Sequence, residues 1–299
     1  MTTQSKAYVT PAAQARPDSA ARLSKIGYVI GRVLLYAALV LGAVIFMAPL
    51  VWMISTSLKP EGLVYQLPIV WIPPEPRWDT YVRGWSVLPF TTFYINTIYI
   101  TVLNIIGLVL SSSLVAFGFA RIRFWMRDTI FIVLLATMML PSQVTLIPIY
   151  LFWSKLGLVN TFWPLIVPQL LTNAYNVFLL RQFFMSINIE LDDAARIDGA
   201  NWFRIYWNIL MPLSKAALGV IAIQAFAWNW NNFFDPLIYL NEPRNYTIAI
   251  GLRLFQTQQS QRIPETMAMT VVALIPVLIV FYIAQARFIQ GIVISGVKG

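Results

Sequence analysis

Six long intervals of the chain carry no Asp, Glu, Lys or Arg, and this feature limits the fold more than any other. A helix needs about 20 apolar residues to cross the hydrocarbon core of a bilayer. Each interval is long enough, so the pattern predicts an all-α integral membrane protein with six transmembrane helices. The intervals run from Arg32 to Lys59, Arg83 to Arg121, Asp128 to Lys155, Lys155 to Arg181, Lys215 to Asp235, and Glu265 to Arg287.

The composition agrees with a membrane protein and excludes several classes of function. Only 11% of the residues are charged, against about 25% in a typical soluble domain. Cysteine and histidine are absent, which excludes disulfides, Cys/His zinc sites and Ser-His or Cys-His catalytic pairs. The net charge is +9, but the basic residues flank apolar runs instead of forming a patch, which argues against a nucleic-acid partner.

The distribution of Lys and Arg predicts the orientation of the chain. With the N-terminus inside, the inside segments hold about twice as many basic residues as the outside segments. We therefore expect both termini in the cytoplasm and a chain that crosses the membrane several times. The predicted divisions are a disordered cytoplasmic tail (1–28), a first transmembrane helix (29–58), a Pro-rich extracytoplasmic segment (59–89), a transmembrane core (90–287) and a cytoplasmic C-terminal tail (288–299).

Prolines interrupt the third and fourth predicted spans. Pro141, Pro148, Pro164 and Pro168 each remove a backbone donor. Membrane helices tolerate such prolines when neighbouring groups satisfy the freed carbonyls. Two interpretations stay open, namely ordinary kinks and kinks that open space for a translocation path.

The predicted cytoplasmic loop 186–212 differs from the other loops in its acidic content. Four of the 12 acidic residues fall within nine positions, namely Glu190, Asp192, Asp193 and Asp198. Asn188 can cap a helix here, and acidic side chains in its first turn complement the positive helix end. The pattern predicts a short helix with Leu191, Ala194 or Ala195, and Ile197 along one side.

The same loop contains signals for a bend and a second helix. Gly199 suits a left-handed stop, and Asn201 can cap the next helix. Pro212 precedes the fifth span. The sequence therefore predicts a helix-Gly-helix elbow, and the alternative is a solvated amphipathic loop lying on the membrane surface.

The elbow resembles the EAA loop of bacterial ABC importer permeases. That loop reads Glu-Ala-Ala, three residues, Gly, nine residues, Ile, one residue, Leu-Pro. Here Asp193-Ala194-Ala195, Gly199, Ile209 and Pro212 have the same spacing. Asp193 replaces the usual Glu and shortens its reach, and Met211 replaces the usual Leu, which nearly conserves volume.

Further short motifs extend the resemblance over most of the chain. The run from Ile197 to Ala200 is similar to the carbohydrate-uptake branch, in particular the smaller permease of maltose-type systems. Weaker matches are Ser57-Leu58-Lys59-Pro60, Trp71-Ile72-Pro73, Trp230-Asn231 and Gly296-Val297-Lys298-Gly299.

The resemblance implies a type I ABC importer permease fold whose elbow is a coupling helix, and a multi-pass location in a bacterial plasma (inner) membrane. It also implies four kinds of partner: a second homologous permease, two ATP-binding subunits, an extracytoplasmic solute-binding protein and a sugar. This chain lacks the phosphate-binding motif G-x-x-x-x-G-K-[ST], so we expect ATP and Mg to bind the partner subunits and no cofactor here. The residues implied to couple to the ATPase are Glu190, Asp193, Ala194, Ala195, Asp198, Gly199, Ala200 and Pro212.

Polar side chains within the spans are candidates for the solute path. Trp and Asn together suit a sugar, since the ring packs on an apolar face and the hydroxyls take hydrogen bonds. The alternative is hydrogen bonding between helices together with a belt of interfacial Trp. The candidates are Gln143, Asn173, Asn229, Trp230, Asn231 and Asn232.

The expected function is that of a non-catalytic permease subunit for a di- or oligosaccharide. Glycerol phosphate or another small polar solute is the alternative within the same architecture. A membrane-embedded enzyme or a passive channel is a more distant alternative, because the only acidic cluster lies at a helix start and not in a cleft.

Overall fold

The computed structural model describes residues 18–171, 173–258 and 262–295, and these residues form helices and no strands. The remaining positions, including parts of the two predicted tails, lie outside the described residues. The helices are α1 (Asp18–Ser57), α2 (Asp79–Val87), α3 (Phe90–Arg121), α4 (Arg127–Ala136), α5 (Ser142–Lys155), α6 (Trp163–Leu170), α7 (Ala174–Ser186), α8 (Glu190–Ile197), α9 (Trp202–Ile205), α10 (Met211–Leu213), α11 (Lys215–Asn231), α12 (Phe234–Tyr239), α13 (Ile248–Gln258) and α14 (Ile263–Ser295).

The described residues contain three helices that are long and apolar enough to cross a membrane, within α1, α3 and α14. Two pairs of consecutive helices, each bent at a short break, contribute up to two more crossings if each pair forms one span. One pair, Arg127–Met139 with Ser142–Lys155, bends by 97°, and the other, Trp202–Leu213 with Lys215–Asn231, bends by 77°. The fourth predicted span, from Lys155 to Arg181, is not one helix, so six uninterrupted crossings are not found among the described residues.

Proline and asparagine account for these interruptions. Pro141 disfavours the helical conformation at the preceding residue, and Leu140 is extended between α4 and α5. In the fourth interval α6 ends at Leu170, and Asn173 then starts α7 by accepting a hydrogen bond from the backbone of Tyr175. A side-chain cap favours a new helix over continuation of the old one.

The described residues divide into two compact units, one ending at Met53 and the other beginning at Ile54. In the first unit α1 begins at Asp18, so the predicted tail 1–28 is helical over its last part. The helix starts earlier than residue 29 because this stretch contains good helix formers such as Ala20 and Ala21. Its side chains from Tyr28 onward are largely apolar and exposed, as expected of a helix whose solvent is lipid.

The second unit is built around α3, which packs against α6, α7 and α11. Small side chains on α3 let the neighbouring helices approach closely, and its polar side chains form hydrogen bonds to those helices. Ser113 shares a hydrogen bond of 2.8 Å with the hydroxyl of Tyr206. A Cβ added at Gly107 would lie 2.2 Å from Cδ2 of Leu170 on α6, so a larger residue here requires that leucine side chain to move.

Helix α14 contains Pro276, and a hydrogen bond from α3 replaces the one that this proline removes. Pro276 has no N–H, so the carbonyl of Val272, four residues earlier, receives no helical hydrogen bond. The hydroxyl of Tyr94 on α3 donates to that carbonyl at 2.6 Å. A proline in a span is thus compensated by a neighbouring helix.

The Pro-rich segment 59–89 contains no continuous helix beyond a short 3₁₀ turn and α2. It contacts the end of α1 and the start of α14. Ser57 at the end of α1 shares a hydrogen bond of 2.8 Å with Tyr81, and Arg83 lies 3.5 Å from the buried carboxylate of Glu265 at the start of α14. The segment therefore ties this end of the bundle together.

Candidate functional site

The elbow between α7 and α11 has the local geometry that its sequence predicts. The side chain of Asn188 accepts a hydrogen bond from the backbone of Glu190 at 3.1 Å, where α8 begins. Gly199 follows α8 with φ of +81°, a conformation that glycine adopts without steric cost. Asn201 then caps α9 by accepting a bond of 2.8 Å from the backbone of Arg204.

The predicted coupling residues divide between an outer and an inner side of the elbow. Ala195 and Ala200 are half-buried and pack against the main apolar core. Ile197 is 87% exposed, so an apolar side chain is accessible on this side of the elbow, between the exposed Arg196 and Asp198. The exposed predicted residues are Glu190, Asp193, Ala194, Asp198, Gly199 and Pro212.

A buried ion pair fixes the elbow to the end of α3. Nε of Arg121 lies 2.8 Å from Oδ2 of Asp192, and the two side chains are 4% and 1% exposed. Nη2 of Arg121 also donates to the carbonyl of Ile187, just before the elbow, at 2.8 Å. One guanidinium thus holds both the entry to the elbow and its first helix.

The environment of Asp192 opposes its charge. Burial raises the pKa of the Asp192 carboxyl above its ordinary value, Arg121 lowers it, and Asp193 raises it slightly further. The cost of desolvation therefore outweighs the attraction of the ion pair. Buried pairs of this kind contribute little net stability, and removing one partner is expensive, so the pair acts mainly by positioning the elbow.

A second connection runs from the elbow to α3 through aromatic side chains. The chain continues from α9 through a π-helical turn at Tyr206–Leu210. The ring of Tyr206 lies 5.3 Å from that of Phe117, and its hydroxyl bonds Ser113. Because these contacts are buried, a displacement of the elbow has to move α3 or repack the core.

Two cavities contain four of the six predicted path residues. The first, which we call the outer cavity, has a volume of about 200 Å³ and is lined by Gln143, Asn229 and Asn232 among others. The inner cavity, of about 310 Å³, is lined by Asn173 and again by Asn229. Asn229 and Gln169 line both cavities, so the two are adjacent.

Trp230 and Asn231, also predicted as path residues, line neither of these two cavities. Trp230 is 4% exposed, and its Nε1 donates to the carbonyl of Ala273 at 3.0 Å. The side chain of Asn231 bonds the carbonyl of Ala227 in its own helix at 2.8 Å. Successive residues of a helix point in different directions, so α11 directs Asn229 inward and turns its two successors elsewhere.

Hydrogen bonding between helices, the alternative interpretation of these Asn residues, also occurs. The side chain of Asn104 on α3 donates to that of Asn229 and to the carbonyl of Leu165 at 3.1 Å. Sequence reasoning missed Asn104, which lines neither cavity, and it missed several polar residues that do line them. Their signal was a polar side chain within an apolar run, shared by Gln169, Asn176, Gln224 and Asp235.

Comparison with known proteins identifies the family. Residues 104–294 match the model of the binding-protein-dependent transport system inner membrane component. The chain belongs to this family of transport permeases. The match includes the elbow, the ion pair and nearly all of the lining of both cavities, so the features described above lie within the family's common region.

Two relatives and one solved structure illustrate the similarity. The arabinooligosaccharides transport system permease protein AraQ of Halalkalibacterium halodurans is 32% identical over 70% of this chain and 75% of its own. The sn-glycerol-3-phosphate transport system permease protein UgpE of Yersinia pestis is 30% identical over 86% of this chain and 94% of its own. A chain from the crystal structure of a bacterial ABC transporter that imports the acidic polysaccharide alginate aligns with a TM-score of 0.77, at 25% identity over 89% of this chain and 98% of that one.

Membership of the permease family confirms the predicted transport role, and at the family level it confirms a non-catalytic transmembrane subunit in the inner membrane. Among the described side chains of this permease, no three acidic residues lie close enough to hold a metal ion.

Proposed function

We propose that this permease forms the translocation path of a sugar importer together with a second, homologous permease. Two separate subunits bind ATP and Mg and hydrolyse the nucleotide, and an extracytoplasmic protein delivers the solute. Both termini and the elbow lie on the cytoplasmic side. The relatives named for arabinooligosaccharide and alginate transport support a saccharide as the solute.

The observation that carries the proposal is the exposed face of the elbow. Asp193, Ile197 and Asp198 are exposed on a short helix that the core holds from behind. An exposed apolar side chain between Arg196 and Asp198 suits a cleft with an apolar floor and charged walls. The ATP-binding subunit supplies that cleft.

The elbow transmits the state of the ATPase because it is anchored on one side and free on the other. ATP binding favours one arrangement of the ATPase pair over another. The elbow follows its cleft, and the Arg121–Asp192 pair and Tyr206 carry the displacement into α3. The cavities beside α11 then open alternately to the two sides of the membrane.

Thiol labelling tests the side on which the elbow lies and the partner that covers it. Because the chain has no cysteine, Ile197→Cys introduces a single thiol. An impermeant maleimide should label it in inverted vesicles and not in right-side-out ones, and the ATP-binding subunit should protect it. Glu61→Cys, exposed in the Pro-rich segment, is the control and should show the opposite sidedness.

Substitutions in the elbow test the coupling itself. Gly199→Pro forces φ to about −65° where the structure has +81°, and Asp193→Lys reverses a charge on the docking face. Both should abolish ATP-driven uptake while the subunit still inserts. Gly199→Asn tolerates the left-handed conformation and, like Glu61→Lys, should keep most uptake. Normal uptake in the first two variants, or labelling of the Ile197→Cys variant from the outside, would contradict the proposal.

A further inference from the structure

The outer cavity has the chemistry of a saccharide subsite within this subunit. It lies among α5, α6, α11 and α12, and Gln143, Asn229 and Asn232 offer amide donors and acceptors around it. Phe234 lines the same cavity and is 56% exposed, so its ring is accessible to an apolar face. A few convergent polar groups beside an aromatic surface are typical of a small-molecule site.

Asp235 is the only charged residue among those that line the two cavities. Its Oδ2 accepts a hydrogen bond of 2.8 Å from the side chain of Asn232, and its backbone N–H donates to the Oδ1 of that residue at 3.2 Å. No Lys or Arg in the described part of the chain forms an ion pair with it. The carboxylate is therefore held in place without being neutralised.

An uncompensated carboxylate beside a path selects solutes by charge. It accepts charge-assisted hydrogen bonds from neutral hydroxyls, and like charges brought together are strongly disfavoured. An anionic solute would meet Asp235 without any cation among the lining residues to offset it. A carboxylated sugar or a phosphate ester therefore fits this lining poorly, and an uncharged sugar fits it well.

The inner cavity continues the same lining. It adds Asn173, Asn176 and Gln224 to the shared Gln169 and Asn229. Asn176 is buried, and its Oδ1 has no hydrogen-bond partner among the described residues. A buried amide oxygen without a partner is costly, and a sugar hydroxyl that reaches it would relieve that cost.

We infer that the outer cavity of this subunit binds an uncharged saccharide and that Asp235 determines specificity by excluding anionic solutes. The inference rests on the proposed function and narrows its solute class. It favours a neutral sugar over glycerol phosphate and over an acidic saccharide such as the one transported by the alginate importer.

Direct binding to the complete complex tests the inference. The purified complex is titrated with arabinobiose, galactobiose and maltose as neutral probes, and with digalacturonate and sn-glycerol 3-phosphate as anionic probes. Wild type should bind at least one neutral probe and neither anion. Asp235→Asn should weaken neutral binding about tenfold, because one hydrogen bond loses its charge, and should reduce the discrimination against the anions.

Controls separate a local effect from misfolding and from failure of the proposed function. Asp235→Glu keeps the charge and should keep the exclusion of anions, and Glu75→Gln, at an exposed position away from the cavities, should change nothing. Melting temperatures of all variants should match. Binding of anions by wild type, absence of neutral binding, or an unchanged Asp235→Asn would overturn the inference. Protection of the Ile197→Cys thiol by the ATP-binding subunit would still hold in each of these cases, so the two failures are distinguishable.

Discussion

Removing Arg121 should loosen the elbow more than any exposed substitution in it. In Arg121→Met the carboxylate of Asp192, which is 1% exposed, keeps its burial and loses its cation. Breaking a buried ion pair from one side costs about 3–5 kcal/mol. That loss corresponds to a fall of roughly 10 °C in the melting temperature. The hydrogen bond to the carbonyl of Ile187 is lost as well.

A double substitution separates the cost of an orphaned charge from the value of the pair. Replacing a buried pair by apolar residues of similar volume is often neutral or stabilising. Arg121→Met combined with Asp192→Leu should therefore recover most of the stability that Arg121→Met loses. The raised pKa of Asp192 supports this expectation, because it shows that burial already outweighs the attraction.

The pH dependence gives a second, independent readout. A carboxyl whose pKa is raised by folding stabilises the folded state most at low pH, and this contribution is lost as pH rises through the folded-state pKa. Arg121 lowers the pKa of Asp192, so Arg121→Met raises it further. The stability difference between wild type and Arg121→Met should therefore be smallest at acidic pH and should grow as pH rises.

Melting of the purified complex, followed by fluorescence at about pH 5 and about pH 8, measures both effects. Arg204→Met is the matched control, because Arg204 is exposed and its side chain has no ion pair in the described residues. The reasoning is refuted if Arg121→Met melts like wild type. It is also refuted if the loss of stability in the double variant equals the sum of the losses in the two single variants.

Two further predictions concern the packing of α3. Tyr94→Phe should cost about 1–3 kcal/mol, because the carbonyl of Val272 loses the hydroxyl donor that replaces the missing N–H of Pro276. Adding Pro276→Ala should recover the loss by supplying a backbone N–H, and equal melting of Tyr94→Phe and wild type would contradict this. Gly251→Ala should cost about 1–3 kcal/mol, since its Cβ would lie 2.3 Å from the ring of Phe93, and an unchanged melting temperature would show that the two helices can separate freely.

The local signals in the sequence were sufficient for the elbow. The cap at Asn188, the left-handed Gly199 and the cap at Asn201 each act on backbone groups within three residues, so neighbouring residues decide them. The apolar runs likewise predicted long helices in α1, α3 and α14. A membrane-spanning helix requires only an apolar composition, because the hydrocarbon of the bilayer accepts apolar side chains and a backbone whose hydrogen bonds are all internal.

Contacts between distant residues could not be predicted in this way. Nothing near Asp192 in the sequence distinguishes it from Asp193, yet one is buried against Arg121 and the other is exposed. The same holds for Asn229, which lines both cavities, and Trp230, which packs in the core. Which side of a helix faces a cavity depends on how its neighbours pack.

The sequence by itself therefore determined that this is a helical membrane protein of the transport-permease family with an acidic elbow. Only the tertiary structure decided which acid anchors the elbow, which side of α11 faces the cavities, and that Asp235 borders the outer cavity. The physical reason is the separation in sequence over which each effect acts. Composition, capping and proline act on neighbouring residues, whereas burial and pairing depend on residues that only folding brings together.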